Sequence, residues 1–127
     1  MAAGVNVTCG LDDVRNIFFP YGRMDMLEVA MITSITAHLT TPEQIQTAFD
    51  MPRYRAAQTL GLAEYQWKVG APANIVLFAA ENAQKALRLQ PLRRYVVRDG
   101  RIVVTNEVKH SISLSCPKFH NILLTDT

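Results

Sequence analysis

Two adjacent carboxylates, Asp12 and Asp13, are the residues of this sequence best suited to chemistry. They follow a short apolar run, residues 5–9, which is bounded by glycines and has the composition of a buried strand. At the carboxyl end of a parallel strand, a carboxylate can hold a metal ion or move protons in an active-site mouth. Paired acids after a strand more commonly form a solvated turn or a helix cap. The pair alone therefore leaves both interpretations open.

Other metal-ligating residue types are few and widely spaced. The histidines form no His-x-His pair and the cysteines no Cys-x-x-Cys pair; these residues are His38, His110, His120, Cys9 and Cys116. An open catalytic site uses about three protein ligands, so we predict no complete metal centre within this chain. Each histidine is interpreted as a surface or hydrogen-bonded side chain, and the thiols as reduced cysteines of a reducing compartment.

The elements that must position the acids can be read from periodicity and capping signals. An apolar helix is predicted over 24–39, packed on more than one face. Thr41 to Gln44 has the pattern of a capping box, and it begins a helix that we expect Pro52 to interrupt. The remaining predictions are a helix over 53–60 ended by Gly61, a strand over 74–79 buried on both faces, a helix over 81–89, and strands 95–98 and 101–104 joined by Asp99-Gly100.

Length and composition limit the class of protein. The chain has 127 residues, 49% of them hydrophobic and 19% charged, with a net charge of +2. This balance predicts a core-forming protein with neither a nucleic-acid nor a membrane surface. No signal peptide pattern is visible, so a cytoplasmic location is expected. A complete TIM barrel needs about 250 residues, which excludes one here.

Three groups of motifs resemble the cytosine deaminases of the amidohydrolase superfamily. The first runs from Val7 through Asp12 and Asp13 to Asn16, with Phe-Phe-Pro-Tyr-Gly at 18–22 and Asp-Met-Leu at 25–27. The second is Arg-Ala-Ala-Gln-Thr-Leu-Gly-Leu at 55–62. The third comprises Val-Gly-Ala-Pro-Ala-Asn-Ile-Val-Leu at 69–77 and Arg-Asp-Gly-Arg-Ile-Val at 98–103. The resemblance covers about residues 4–109.

The resemblance implies an α/β fold made of the last strand-helix unit of an amidohydrolase TIM barrel plus part of the small β-sandwich domain. Residues 1–62 would form the barrel segment with its active-site loop and covering helices. Residues 63–109 would form sandwich strands with one short helix, and the tail 110–127 is unassigned. The barrel would be incomplete within this chain, with unpaired strand edges.

The resemblance also implies roles for three residues. Asp12 would be the catalytic carboxylate that contacts the metal and moves a proton, and Asp13 and Phe18 would contact the substrate. Plain core packing is the alternative for Phe18 and its neighbour Phe19. The implied cofactor is a divalent metal, zinc or iron, bound only with ligands from outside this chain. The implied substrate is a cyclic amidine such as cytosine, and the chain alone is expected to be inactive.

Other functions stay open on the sequence. The chain could be a binding or structural protein that keeps this end of the fold without the chemistry, or part of a hydrolase acting on N-substituted triazine rings. The other type of cytosine deaminase is excluded, because neither His-x-Glu nor Pro-Cys-x-x-Cys is present. Unpaired edges and an uncovered apolar helix further predict self-association or a complementary chain.

Overall fold

Local capping and turn signals set the boundaries of most elements. The computed structural model describes residues 4–109 and 111–112. The elements of this part are α1 (Met26–Thr36), α2 (Pro42–Asp50), a π-helical turn (Met51–Arg55), α3 (Ala56–Thr59), β1 (Ile75–Phe78), α4 (Ala83–Leu89), β2 (Arg93–Arg98) and β3 (Arg101–Thr105). The expectations for His110, His120, Cys116 and most of the tail lie outside the described residues.

Helix α1 is shorter than the apolar stretch 24–39 that predicts it. Asp25 stands at its N-cap, where Oδ1 accepts a hydrogen bond from the backbone N–H of Leu27 (2.9 Å). Beyond its C-terminal end the chain turns, with His38 at a positive φ of 51°. Leu27 and Ala30 are buried, and most other side chains of α1 are half-buried. The helix therefore packs on more than one side, as its apolar composition predicts.

A capping box starts α2, as predicted. Thr41 Oγ1 accepts from the N–H of Gln44 (3.4 Å), and Gln44 Oε1 accepts from the N–H of Thr41 (3.1 Å). The break predicted at Pro52 is wrong, because the helical path continues through the π-helical turn into α3. Proline lacks the N–H that an α-helical turn uses, and the wider turn accommodates its ring. Gly61 follows α3 at a φ of 68°, which confirms its predicted place at the end of the helix.

The strand predicted over residues 5–9 is wrong, since these residues form no ladder with any other described residue. A strand needs a neighbour for its backbone hydrogen bonds, and the described part of the chain places none there. A side chain holds the segment instead. Asn6 Nδ2 donates to the carbonyl oxygen of Arg55 (3.0 Å) and to Thr59 Oγ1 (3.1 Å). The segment is thereby tied to the C-terminal end of the helical layer.

Strands β1, β2 and β3 form an antiparallel sheet in that order. The predicted hairpin is confirmed: Asp99 and Gly100 take φ values of 49° and 76°, as a two-residue turn with two positive φ angles requires. The prediction that the first of these strands is buried on both faces is wrong. Val76 and Leu77 of β1 are 48% and 47% exposed, because β1 lies at an edge and double burial needs a covering layer on each face.

The core joins helices from both parts of the chain. Its buried side chains are Leu27, Ala30, Ala48, Ala86 and Leu87. Phe78, at the end of β1, packs edge-on against Phe49 of α2 with ring centroids 6.3 Å apart. This aromatic pair connects the sheet to the helical core.

The architecture agrees in part with the predicted α/β class. It is a small antiparallel three-stranded sheet with helices; α1, α2 and α3 fall within 1–62, and the sheet and α4 within 63–109. Among the residues described, every strand pair is antiparallel, so the sheet contains no parallel barrel strand. In the same residues, no helix is long and apolar enough to span a bilayer.

The loop over residues 10–22 is closed by a tight contact at Gly22. A Cβ atom on Gly22 would lie 1.9 Å from the carbonyl oxygen of Val14 and 3.0 Å from Cε1 of Phe19. Only a residue without a side chain allows this approach. Gly22 therefore fixes how the loop returns to the start of α1.

Asp25 also joins α1 to the sheet. Arg93 Nη2, at the start of β2, donates to the same Asp25 oxygen that caps the helix, and the side chains of Arg93 and Asp25 are 25% and 17% exposed. Charge-assisted hydrogen bonds between partly buried groups are among the stronger polar contacts. One carboxylate thus holds two elements that are far apart in sequence.

We expect Asp25→Ala to lower the free energy of unfolding by about 2–4 kcal/mol, because it removes a helix cap and leaves a partly buried guanidinium unpaired. Asp25→Asn keeps an oxygen for the N–H of Leu27 and should lose less. Asp99→Asn changes an acid whose side chain is 76% exposed, and serves as the control. Urea denaturation measures all three; equal stabilities would contradict the double role of Asp25.

We expect Gly22→Ala to open the loop over residues 10–22, because overpacking costs about 1–3 kcal/mol and the new methyl group meets a backbone oxygen. Hydrogen exchange of peptides that cover residues 14–22 should accelerate, while exchange in α1 and α2 stays unchanged. Gly10→Ala is the matched control, since a Cβ atom there has no neighbour within 4 Å. Identical exchange in the two variants would show that the close approach at Gly22 is unimportant.

Candidate functional site

The structure places all three candidate site residues on the loop 10–22, at the surface. Asp12 and Asp13 are exposed, and Phe18 is 91% exposed. The alternative that Phe18 packs in the core is therefore wrong, whereas its neighbour Phe19 is half-buried. The three residues share one loop and point to no enclosed pocket within the described part of the chain.

One side chain organises this loop. Asn16 Oδ1 accepts from the backbone N–H groups of Phe18 and Phe19, both at 2.8 Å. Asn16 Nδ2 donates to Asp13 Oδ2 at 3.2 Å. The backbone N–H of Asn16 also donates to the carbonyl oxygen of Phe19 (3.3 Å). Sequence reasoning missed this residue, although asparagine commonly accepts from backbone groups two or three residues ahead in turns.

The residues described do not by themselves fit a metal site. They contain no group of three or more histidine, cysteine, aspartate or glutamate side chains that could hold an ion. Asp12 and Asp13 supply neighbouring carboxylates, and His38 lies in the turn after α1. An open catalytic site needs about three protein ligands, and the described residues do not assemble such a set; that the whole chain holds no complete centre stays a prediction.

Cys9, just before the loop, is not activated. Its partial burial raises the pKa of the thiol, and a hydrogen bond with Thr33 only partly offsets that rise. A thiol with a raised pKa is a poor nucleophile and a poor metal ligand near neutral pH. The half-buried Cys9 thiol is therefore not predisposed to nucleophilic chemistry.

A large open groove lies elsewhere, between the helices and residues 61–78. This open groove of about 1700 Å³ contains none of the three candidate residues. The guanidinium of Arg53 lies within it, between the rings of Phe49 and Tyr54 at 4.2 and 4.5 Å, and Nη2 donates to Asp50 Oδ1 (2.7 Å). The four-residue spacing of Phe49 and Arg53 on a helix could have predicted the first of these contacts.

Comparison with known proteins finds that this chain is similar to part of several hydrolases and deaminases. The family model described as "Amidohydrolase family" matches residues 1–104. N-isopropylammelide isopropyl amidohydrolase of Pseudomonas sp. (strain ADP) is 31% identical over 109 residues, 85% of this chain and 27% of that protein. Pterin deaminase of Rhizobium rhizogenes is 32% identical over 103 residues, 80% of this chain and 23% of that protein.

Solved structures give the same result. The 5-methylcytosine deaminase of Klebsiella pneumoniae, liganded with 5-fluorocytosine, superposes with a TM-score of 0.80 at 26% identity over 88% of this chain and 27% of that chain. N-isopropylammelide isopropylaminohydrolase of Burkholderia multivorans superposes with a TM-score of 0.77 at 37% identity, over 83% of this chain and 27% of that chain.

The chain spans about a quarter of the length of the curated relatives it matches. The matched region nevertheless includes every helix and strand described above except the last residue of β3. The predicted resemblance is thus confirmed at the level of the family: the chain belongs to the amidohydrolase family.

Proposed function

We propose that this chain supplies the C-terminal part of a hydrolytic deaminase that acts on a cyclic amidine such as cytosine. The observation that carries the proposal is the superposition on the 5-methylcytosine deaminase of Klebsiella pneumoniae, whose structure holds 5-fluorocytosine. A second structure of that enzyme holds phosphonocytosine and superposes equally well. The relatives of this chain are deaminases and amidohydrolases, which supports hydrolysis of the bond between a ring carbon and its exocyclic nitrogen.

In this proposal Asp12 is the proton-transfer group. Its carboxylate is exposed, and within the described residues it makes no hydrogen bond that would compete with a substrate. A carboxylate at that place can accept a proton from attacking water and return it to the leaving nitrogen. Asp13 and Phe18 are proposed to contact the ring, Asp13 through hydrogen bonds and Phe18 through its exposed face.

The divalent metal of this family would require histidine ligands from outside this chain. Asp12 would contribute one carboxylate to such a centre, as the resemblance implies, and the described residues alone do not complete it. We therefore propose that the chain alone binds no stoichiometric zinc or iron and does not deaminate. The upstream part of the fold, in the same polypeptide or in a complementary chain, would supply the missing ligands.

Surface exposure supports a covering partner. Every residue of β3 is exposed, and Ile102 and Val103 are 62% and 57% exposed. On the loop 10–22, Ile17 and Tyr21 are 87% and 82% exposed. Large apolar side chains that face water in this way are typical of surfaces that contact more protein. We propose that complementary barrel and sandwich segments, or a second copy of the chain, cover them.

A triazine-type substrate is the second candidate. Identity to the structure of N-isopropylammelide isopropylaminohydrolase is 37%, compared with 26% to the 5-methylcytosine deaminase. In that reaction the leaving group would be a substituted amine rather than ammonia.

A non-catalytic binding role is the third candidate function, and the incomplete ligand set within the described residues favours it. The assay below includes ring substrates of both reactions.

The chain does not match the upstream portion of the 5-methylcytosine deaminase of Klebsiella pneumoniae. We expect a fusion protein to be catalytically active when that upstream portion is joined to the N-terminus of this chain. With zinc or iron added, this fusion should deaminate cytosine or 5-methylcytosine, or hydrolyse N-isopropylammelide. Asp12→Asn should then reduce kcat by about 10²- to 10⁴-fold, because asparagine cannot transfer the proton. Release of ammonia or amine measures each rate.

Asp99→Asn in the same fusion is the matched control and should keep full activity, since Asp99 lies in the hairpin turn. Metal analysis of the unfused chain should find no stoichiometric zinc or iron. Deamination by the chain alone would refute the proposal. So would an active fusion in which Asp12→Asn has no effect, or a metal-loaded fusion inactive on all the rings tested.

A further inference from the structure

We propose that Asn16 is the positioning residue of the substrate loop: it fixes the carboxylate of Asp13 relative to the backbone that carries Phe18. This inference rests on the proposed function for the roles of Asp13 and Phe18, but its geometry stands on the hydrogen bonds of Asn16 alone. All three side-chain bonds come from one planar amide. Asn16 itself contacts no substrate in this account.

The polarity of the amide admits one arrangement. Two backbone N–H groups, those of Phe18 and Phe19, point at one end of the amide, which must therefore be the acceptor oxygen Oδ1. The other end is then the donor Nδ2, and it faces Asp13 Oδ2. A carboxylate only accepts hydrogen bonds when ionised, so the direction of all three bonds is consistent.

The hydrogen bonds of Asn16 reduce the conformational freedom that an exposed loop would otherwise lose on binding. Phe18 is 91% exposed and Asp13 is exposed, so neither is held by packing of its own side chain. A loop that orders only on binding loses affinity through the entropy of ordering. The bonds of Asn16 fix the backbone of Phe18 and one oxygen of Asp13 in advance, and leave the ring and the second oxygen of Asp13 for a ligand.

Two substitutions separate the functions of the amide. Asn16→Asp keeps an acceptor for the two N–H groups but places a carboxylate against Asp13. Asn16→Ala removes both functions. We expect the amides of Phe18 and Phe19 to exchange faster by about tenfold in Asn16→Ala and to stay protected in Asn16→Asp, as measured by NMR on the full 127-residue chain.

Asn82→Ala is the matched control, because Asn82 Oδ1 accepts from the N–H of Lys85 (2.8 Å) in a similar bond far from the loop. It should change exchange near α4 only. In the active fusion, both Asn16 variants should raise KM by about tenfold with kcat within about twofold of the parent. A purely structural role would lower stability without this division between KM and kcat.

The outcomes distinguish the two proposals. Unchanged exchange of Phe18 and Phe19 in Asn16→Ala would overturn the positioning role, whether or not the fusion is active. Accelerated exchange with unchanged KM in an active fusion would overturn the link to substrate. An inactive parent fusion would count against the proposed function, and the exchange result would still decide whether Asn16 holds the loop.

Discussion

The carboxylate of Asp25 is the contact on which the arrangement of this chain depends. It lies where the loop 10–22 ends, caps α1, and pairs with Arg93 at the start of β2. The buried core is small and rich in alanine, so it offers little apolar area to set how the helices and sheet meet. A partly buried ion pair with fixed geometry supplies that orientation, and it also fixes the point from which the loop departs.

The loop is built on the same principle, with polar contacts in place of packing. Asn16 closes it from within, and Gly22 lets the end of the loop approach the backbone of Val14. Asn6 holds the preceding segment on α3. These contacts give the loop a defined backbone while its large side chains face outward. The loop backbone is therefore pre-organised for binding, which suits a segment that lines a site assembled from several parts of a fold.

Features governed by local chemistry could be predicted from the sequence. The capping box at Thr41, the turn at Asp99-Gly100 and the glycine end at Gly61 each depend on a few neighbouring residues. The predictions that failed depend on which other segments of the fold pack against the predicted strand. The apolar run 5–9 lacks a strand partner among the described residues, and neither face of β1 is fully covered. The pattern of apolar residues indicates which side chains of a segment can be buried, but it does not indicate which neighbouring segments are present to bury them.

The candidate site shows the same division. The resemblance identified Asp12, Asp13 and Phe18, and the family membership that it implied is confirmed, whereas their roles stay predictions. Neither the bonds of Asn16 nor the stacking of Arg53 was foreseen. Pro52 likewise ends an α-helical hydrogen-bond pattern, but whether the chain breaks or widens into a π-helical turn depends on packing against α1 and α3.

The exposed strand β3 has a consequence for how copies of this chain can meet. Its sequence, Arg-Ile-Val-Val-Thr, contains one charge, at Arg101. Parallel, in-register stacking of identical strands, the geometry found in many fibrils, would set each Arg101 beside another and repel. An antiparallel meeting of two such edges places Arg101 near Thr105 instead and avoids that repulsion. Arg101 therefore disfavours a parallel, in-register contact between two β3 strands relative to an antiparallel one.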